Sequence, residues 1–328
     1  MFDTYKINLQ LFAELNTNVT TDSGLSVENK TFYDMTLIDE AQANLVHDQF
    51  AQKRPIPKNG GKKIEFRKFA SLPKALTPLT EGVTPDGKKL SVTSIEAEVA
   101  QYGDYIVQSD VLELSSIDNT IVEATKILGR QAGLTLDTIT RNVMQSGTNV
   151  YYAPKADGTE VDSRAGLDNT CKLTVDVVNR VVAFMKKCNA PKIDGDYVAI
   201  IHPFVAYDLM SDPAWVDAHK YTTSENIYKG ELGKIGGVRF VESSEAKVYE
   251  GGVFGCLFLA DGAYGVTEIT GGGLQTIIKQ KGSAGTADPL DQRSSIGWKA
   301  IRTAEILVDP YMVRVECKSA LGSEAEVN

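Results

Sequence analysis

The sequence predicts an α+β protein, and three patterns indicate this fold class. Alternating apolar and polar residues flank a turn-rich centre at residues 61–108, which is typical of a β-hairpin. Apolar residues then recur at steps of three and four from residue 109 to residue 147, which is typical of a long amphipathic helix. Shorter helical and strand-like segments alternate between residues 174 and 260, and the remainder is mostly strand-like.

The first 60 residues predict an arm. Asn, Thr, Asp and Ser punctuate residues 16–26, and an amphipathic stretch at residues 31–50 is compatible with a helix. Such a segment cannot bury its apolar face alone, so we expect it to lie on its own body or on a neighbouring copy. Because only about 60 residues precede the hairpin, we expect little room for a long cleaved leader.

The hairpin at residues 61–108 has an outgoing strand from Lys62 to Phe69 and a returning strand from Leu90 to about Val107. Its connection carries Pro, Asp and Gly in tight-turn positions. A lone hairpin is marginally stable in water. The hairpin is therefore either a projecting element with a partner surface or part of an ordinary sheet, and spacing alone leaves both open. The candidate contact residues at its tip are Leu72, Leu76, Leu79 and Val83, unless they pack within the tip.

The segment from residue 109 to residue 147 predicts a helix about 40–45 Å long. Ser116 or Asp118 is suited to cap its start, and Gly147 suits its end. Gly129 and Gly133 weaken helix propensity. They predict a place where another backbone packs closely against the helix.

Further segments are predicted along the second half of the chain. We expect a helix from about Thr174 to Cys188, a buried strand at Tyr197–Ile201 and a helix that starts at Pro203, with His202 orienting the turn before it. Later strands are predicted at residues 238–242, 256–260, 274–279, 295–307 and 312–317. Residues 319–328 are expected to form a flexible tail.

Composition excludes several classes of protein. The formal net charge is −9 and the sequence pI is about 5.0, so tight nucleic-acid binding over the whole surface is disfavoured. No stretch approaches about 18 consecutive apolar residues, so no membrane association is expected. The cysteines form no CxxC pair and are expected to be free thiols, as in a reducing cytoplasm. They are Cys171, Cys188, Cys256 and Cys317.

Catalytic and metal-binding patterns give no candidate. The sequence has no GxSxG, Walker or GxGxxG motif. Of its three histidines, His47 and His219 have no carboxylate or cysteine at ligand spacing, and His202 is expected to have a structural role in the turn before Pro203. We therefore expect no catalytic residues, no metal, no cofactor and no enzymatic activity.

Five segments carry a family resemblance. They are LTEGVTPDGKKL, SIEAEVAQYGDYIVQSDVLEL, IHPFVAYDLMSD, GELGKIGGVRFVES and DPLDQRSSIGWKAIRTAEIL. Their order and spacing, from about residue 60 to residue 318, resemble major capsid proteins of tailed phages of the podovirus N-four type. Each motif is weak alone, and the first 60 residues match less well.

The resemblance implies the Hong Kong 97-type capsid fold, with its parts in the order that the residue patterns predict. These parts are an N-terminal arm (1–60), an E-loop hairpin (61–108), a P domain with a long spine helix (109–164), an A domain (165–285), return strands of the P domain (286–318) and a flexible tail (319–328).

The resemblance also implies a function. Similar proteins assemble into hexamers and pentamers of an icosahedral shell around packaged double-stranded DNA. It implies portal, scaffold or decoration proteins as partners, a place in the virion, and assembly in the host cytoplasm. The hairpin is expected to cross the adjacent subunit, and the loop at residues 215–234, with Trp215, to meet its copies at the ring axis. Two alternatives stay open: an encapsulin-like nanocompartment, and a soluble α+β enzyme with an unrecognised site.

Overall fold

In the part of the chain that the structure describes, two larger β-sheets, of five and seven strands, and one long helix form the framework. The computed structural model describes residues 35, 37–41, 45–69, 72–78, 81–82, 84, 87–115, 120–219, 233–283, 288–322 and 326–328. The helices are α1 (Asp110–Ser115), α2 (Thr120–Met144), α3 (Val175–Lys187), α4 (Pro203–Met210) and α5 (Pro213–His219). The strands are β1 (Gln52–Lys53), β2 (Lys63–Phe69), β3 (Val92–Glu98), β4 (Ala100–Ser109), β5 (Val150–Tyr152), β6 (Tyr197–Ile201), β7 (Lys234–Ile235), β8 (Val238–Glu242), β9 (Val248–Tyr249), β10 (Val253–Leu259), β11 (Tyr264–Glu268), β12 (Gln275–Lys279), β13 (Arg293–Ile306) and β14 (Met312–Lys318). The predicted α+β class is confirmed.

The five-stranded sheet is built around β13. Strand β4 pairs antiparallel along one edge of β13, from Ser109 opposite Arg293 to Ala100 opposite Arg302. Strands β12 and β11 pair in succession with the same long strand, and β1 extends the sheet beyond β11. One face of the sheet packs on α2, where the indole N–H of Trp298 donates a hydrogen bond to Gln131 at 3.2 Å.

The seven-stranded sheet is centred on β10, whose seven residues are all buried. Strands β14 and β6 lie antiparallel on its two sides. Helix α3 covers this sheet with a valine-rich face, and its predicted start is confirmed because the Thr174 side chain accepts a hydrogen bond from the Val177 backbone N–H. The predicted start of α4 is confirmed too, since His202 caps it and Pro203 occupies its first turn.

The pairing of strands in the sheets differs from the sequence-based prediction at three places. The predicted returning strand is two strands, since β3 ends at Glu98 and β4 turns away to pair with β13. Strands β11 and β12, predicted in the A domain, lie in the same sheet as β13. Strand β14, predicted as a return strand of the P domain, lies between β5 and β10 in the other sheet. Alternation within a strand reveals its faces but not its partners.

The long helix is shorter than predicted. Helix α2 has 25 residues, which corresponds to about 37 Å. The short helix α1 precedes it, and the proposed capping residues Ser116 and Asp118 lie outside the described residues. The predicted apolar face is confirmed, because Ala124, Leu128, Ala132 and Leu136 are all buried against the sheet and the strap described next.

The described part of the leading segment packs on its own subunit as a strap, residues 37–41 and 45–56. The strap crosses α2 where the helix has Gly129 and Gly133, and a Cβ built on these glycines would lie 2.8 Å from the Leu37 carbonyl oxygen and 2.5 Å from the Ala41 carbonyl oxygen. The predicted close backbone approach is confirmed. Of the two surfaces predicted for the arm, these residues occupy their own body, and residues 1–34 lie outside the description.

We expect Gly133→Ala to destabilise the subunit by about 2 kcal/mol. The added methyl group would displace the Ala41 backbone, and this loss exceeds the gain of about 1 kcal/mol in helix propensity. Urea unfolding of the unassembled subunit measures the change. Ile127→Ala, at an exposed position of the same helix, is the control and should change stability by less than about 0.5 kcal/mol. Equal effects of the two substitutions would contradict the close contact.

The described residues of the predicted tail contact the body of the subunit. Ser319 is buried and its hydroxyl donates to the Phe204 carbonyl oxygen, while the Ala320 N–H donates to Asp208. The Asn328 side-chain oxygen accepts a hydrogen bond from the Val248 N–H at 2.9 Å. These contacts hold the start of the segment on α4 and its last residue on β9.

Candidate assembly surface

Strands β2 and β3 form a two-stranded sheet of their own, which we call the finger (residues 63–98). Seven antiparallel pairs hold it together, from Lys63 opposite Glu98 to Phe69 opposite Val92. Ile64 lies opposite Ala97 and Phe66 opposite Ile95, so the apolar residues share one face. Of the two readings of the hairpin, a projecting element and a part of a larger sheet, this pairing matches the first.

The base of the finger is anchored on its own subunit. Phe66 and Ala97 are buried. Gly265 of β11 leaves room for the Phe66 ring, since a Cβ there would lie 3.2 Å from the ring and from Leu307. The Arg54 guanidinium also lies 5.7 Å from the centre of this ring. The anchor orients the finger on the body.

The tip of the finger, residues 72–90, is exposed at every position that the structure describes. Leu76 is 81% exposed and Leu72 is 53% exposed, so these two predicted contact residues do not pack within the tip. Leu90 and Val92 add exposed apolar surface that the sequence analysis did not single out. Leu79 and Val83 lie outside the described residues. Exposed apolar residues clustered in this way mark an interaction surface.

The prediction for Trp215 is corrected by its burial. Its side chain is only 5% exposed, and its ring packs edge-to-face on Phe240 with centroids 5.6 Å apart. The residue belongs to the core under the seven-stranded sheet and offers no surface to a second subunit. A large aromatic residue in a mixed segment is equally compatible with core and interface, so the sequence could not separate them.

A second exposed apolar surface lies on the five-stranded sheet, on the face away from α2. Tyr105 is 68% exposed there, and Val107 and Ile277 are exposed beside it. A shallow groove of about 490 Å³ crosses this face, with Gly103 and Gly297 in its floor. We call this surface, together with the adjoining helix α1, the outer face. The alternation from residue 101 to residue 107 was the sequence signal for it, since odd positions share one side of a strand.

The opposite side of β4 is tied to the long helix. The Asp104 carboxylate accepts a hydrogen bond of 2.6 Å from the Gln131 side chain. This bond, with another from the Tyr105 backbone, lowers the pKa of Asp104. The carboxylate therefore stays ionised at neutral pH.

A buried polar contact fixes the strap to α2. The Asp137 carboxylate accepts a hydrogen bond from the His47 backbone N–H at 2.7 Å and lies 2.7 Å from His47 Nδ1. The Tyr264 hydroxyl donates to the His47 carbonyl oxygen at 2.5 Å. The spacing of residues along the chain did not indicate this contact, since the fold brings together residues 90 positions apart. One histidine and one carboxylate buried in this way fasten two segments together.

The cysteines and the other histidines have structural surroundings. Cys256 and Cys317 lie on adjacent strands with their sulfur atoms 3.8 Å apart, and all four cysteines are free. His202 accepts a hydrogen bond from the Phe204 N–H, and burial lowers its pKa. The His219 side chain lies outside the described residues. Within the described ranges, no group of three or more His, Cys, Asp or Glu residues is placed to hold a metal ion.

None of the helices in the described part of the chain combines the length and apolar character that a membrane span needs.

Comparison with known proteins finds a matching family and several solved structures with a similar fold. A family model for phage capsid protein matches residues 118–257. The fold is similar to the capsid of cyanophage Pam1, with a TM-score of 0.67, 12% identity, and coverage of 86% of this chain and 92% of that chain. It is also similar to the capsid of cyanophage P-SCSP1u, with a TM-score of 0.65, 13% identity, and coverage of 83% and 87%.

The capsid of Ralstonia phage GP4 is a third similar structure, with a TM-score of 0.62, 17% identity, and coverage of 82% of this chain and 87% of that chain. A comparison with curated protein sequences finds no significant match. At these identities the structures establish a shared fold. The chain therefore has the Hong Kong 97-type fold of phage capsids, and its residues 118–257 match the phage capsid protein family.

Proposed function

We propose that each subunit lays its finger on the outer face of an adjacent copy, and that repetition of this contact builds the hexamers and pentamers of an icosahedral shell around double-stranded DNA. The observation that carries the proposal is the exposed tip, whose Leu72 and Leu76 have no apolar cover within the described part of their own subunit. A two-stranded hairpin is marginal alone. Burial of these residues on a second copy supplies the missing stabilisation.

The outer face suits the role of acceptor. It combines exposed apolar residues, Tyr105, Val107 and Ile277, with a groove floored by two glycines. Glycines let a second chain approach a sheet closely. The finger and the outer face are different surfaces of one subunit, so their contact is heterologous, and such a contact closes into a ring when the rotation permits.

The same proposal assigns the domain names. The five-stranded sheet with α2 is the P domain, α2 is the spine helix and the finger is the E-loop. The seven-stranded sheet with α3, α4 and α5 is the A domain, which faces the ring axis. Because Trp215 is buried, we propose the exposed Tyr207 and Met210 of α4 as the A-domain residues that contact other subunits. The narrower kinship with the podovirus N-four type also stays a prediction.

A shell of this kind implies partners besides further copies of the subunit. Packaged DNA lies against the inner wall without tight binding, which the net charge of −9 supports. Portal, scaffold and decoration proteins are the expected further partners. Assembly takes place in the host cytoplasm, which the free thiols support.

Electron microscopy of the purified protein tests the function. We expect closed shells or rings of uniform size, and DNA-containing shells when the phage genome is packaged. A monomer or small oligomer at all concentrations would overturn the proposal. Small shells that enclose proteins instead of DNA would favour an encapsulin-like nanocompartment.

A further inference from the structure

Two of the four free cysteines lie side by side in the core of the seven-stranded sheet. Cys256 lies in β10 and Cys317 in β14, and both side chains are buried. Their sulfur atoms are 3.8 Å apart. The other two thiols have different surroundings, since Cys171 donates to the Asp168 carboxylate at 3.5 Å and Cys188 lies at the end of α3. Cys256 and Cys317 thus have each other's sulfur atom as a direct neighbour.

The register of the two strands explains this contact. Cys256 lies opposite Val315 and Cys317 lies opposite Phe254, so the cysteines are diagonal neighbours on one face of an antiparallel pair. Diagonal positions are usually about 7–8 Å apart at Cα, and the short sulfur–sulfur distance shows that the two side chains turn towards each other. A disulfide bond is about 2.05 Å long, so the sulfur atoms need to approach by about 1.8 Å. Side-chain rotation with a small shift of the end of β14 brings them together.

The cysteine pair lies where the chain crosses between the two sheets. After β10 the chain leaves the seven-stranded sheet, forms β11, β12 and β13 in the five-stranded sheet, and returns through β14. Cys256 and Cys317 are 61 positions apart, and a bond between them would close this excursion into a loop. Cross-links that close long loops remove conformational entropy from the unfolded chain. A bond at this place would therefore favour the folded pairing of β10 with β14.

We propose that Cys256 and Cys317 are an oxidation site, at which hydrogen peroxide converts the two thiols into a disulfide bond that locks β14 onto β10. In the first step one thiolate attacks the peroxide, which gives a sulfenic acid and releases hydroxide. In the second step the other thiolate attacks the sulfenyl sulfur, the S–S bond forms and hydroxide leaves. The two sulfur atoms lose two electrons and the peroxide gains them. The two hydroxide ions take up the two thiol protons and become water.

The surroundings of the two thiols make the reaction slow. Both lie in the core, and the neighbouring Cys256 sulfur together with burial raises the pKa of Cys317. Its thiolate is therefore scarce at neutral pH. In a reducing cytoplasm the pair stays as free thiols, and the bond forms after the protein reaches an oxidising medium. This order of events rests on the proposed function, in which shells assemble inside the host cell before they are released.

Mass spectrometry of the unassembled full-length subunit after prolonged exposure to hydrogen peroxide tests the proposal. A non-reducing tryptic digest should contain the peptide of residues 248–279 joined to that of residues 315–318, and a reductant should separate them. Oxidation should raise the midpoint of thermal unfolding by about 5 °C. Cys188→Ala keeps the pair and should behave as the wild type. Cys256→Ala and Cys317→Ala should each remove both the joined peptides and the gain in midpoint.

Unlinked thiols after exposure to peroxide, or a bond of Cys317 to Cys171 instead, would overturn the oxidation site. Joined peptides with an unchanged midpoint would overturn the lock. Circular dichroism of the two alanine variants before oxidation verifies that each is folded, and either folded variant is sufficient for the comparison. Because these measurements use the unassembled subunit, their failure leaves the proposed function standing. Absence of particles from the wild-type protein would instead count against the proposed function.

Discussion

Deletion of residues 70–89 is expected to abolish shell assembly and to leave a folded subunit. The deletion removes the exposed Leu72 and Leu76 together with Lys74, Lys88 and Lys89. It leaves Leu90 and Ser91 between Phe69 and Val92, which are paired in the finger. Two residues are the length of a tight hairpin connection. The base of the finger, with Phe66 on Gly265, stays in place, so the core should not change.

Size-exclusion chromatography and electron microscopy measure the assembly of this variant, and circular dichroism measures its fold. Asn-Gly in place of Leu90-Ser91 favours the new turn and serves as a second version of the deletion. Mutant shells of normal size would show that the tip is dispensable and that the E-loop assignment is wrong. An unfolded product from both versions would show that the tip belongs to the core of the subunit.

The elements with strong local patterns were predictable from the sequence. The apolar positions of α2 recur with helical spacing, and the all-apolar segment Tyr197–Ile201 matches a buried strand at its observed bounds. Gly129 and Gly133 pointed to close backbone packing because a glycine inside a helix needs a compensating reason. The sequence left two possibilities for Leu72 and Leu76, contact with a neighbour or packing within the tip, and their exposure supports the first.

The elements that depend on distant partners were not predictable. The break between β3 and β4 leaves the alternation of residues almost unchanged, while β4 finds its partner about 190 residues away in β13. The strap could have rested on a neighbour, and contacts between residues far apart in the sequence, such as that of His47 with Asp137, fix it on its own helix. The burial of Trp215 was not predictable either, because it depends on packing against residues that are distant in the sequence, such as Phe240.

The orientation of the finger depends on a series of contacts between residues far apart in the sequence. The finger is oriented by its base, which lies against β11, and β11 is held by β13 and, through the Tyr264 hydroxyl, by the strap. The strap is held by α2. A change in the buried contact between the strap and the helix therefore reaches the platform that orients the finger.

Asp137→Ala is expected to lower the free energy of unfolding by about 3–5 kcal/mol, the largest single-residue loss we predict. The substitution leaves the His47 backbone N–H and imidazole buried without their shared carboxylate acceptor. Urea titration of the unassembled subunit measures the loss. Faster tryptic cleavage after Lys53, which is exposed at the end of the strap, measures its release.

Asp137→Asn is the matched control, because an amide keeps one acceptor for the His47 N–H and offers one donor to its imidazole. We expect it to cost about 1–2 kcal/mol and to leave tryptic cleavage close to the wild-type rate. Equal losses in the Ala and Asn variants would mean that the carboxylate charge matters more than the two hydrogen bonds. No loss in either variant would mean that the strap is held by Leu37 and Ala41 on the glycine positions alone. In that case Gly133→Ala, and not Asp137→Ala, should release the strap from the helix.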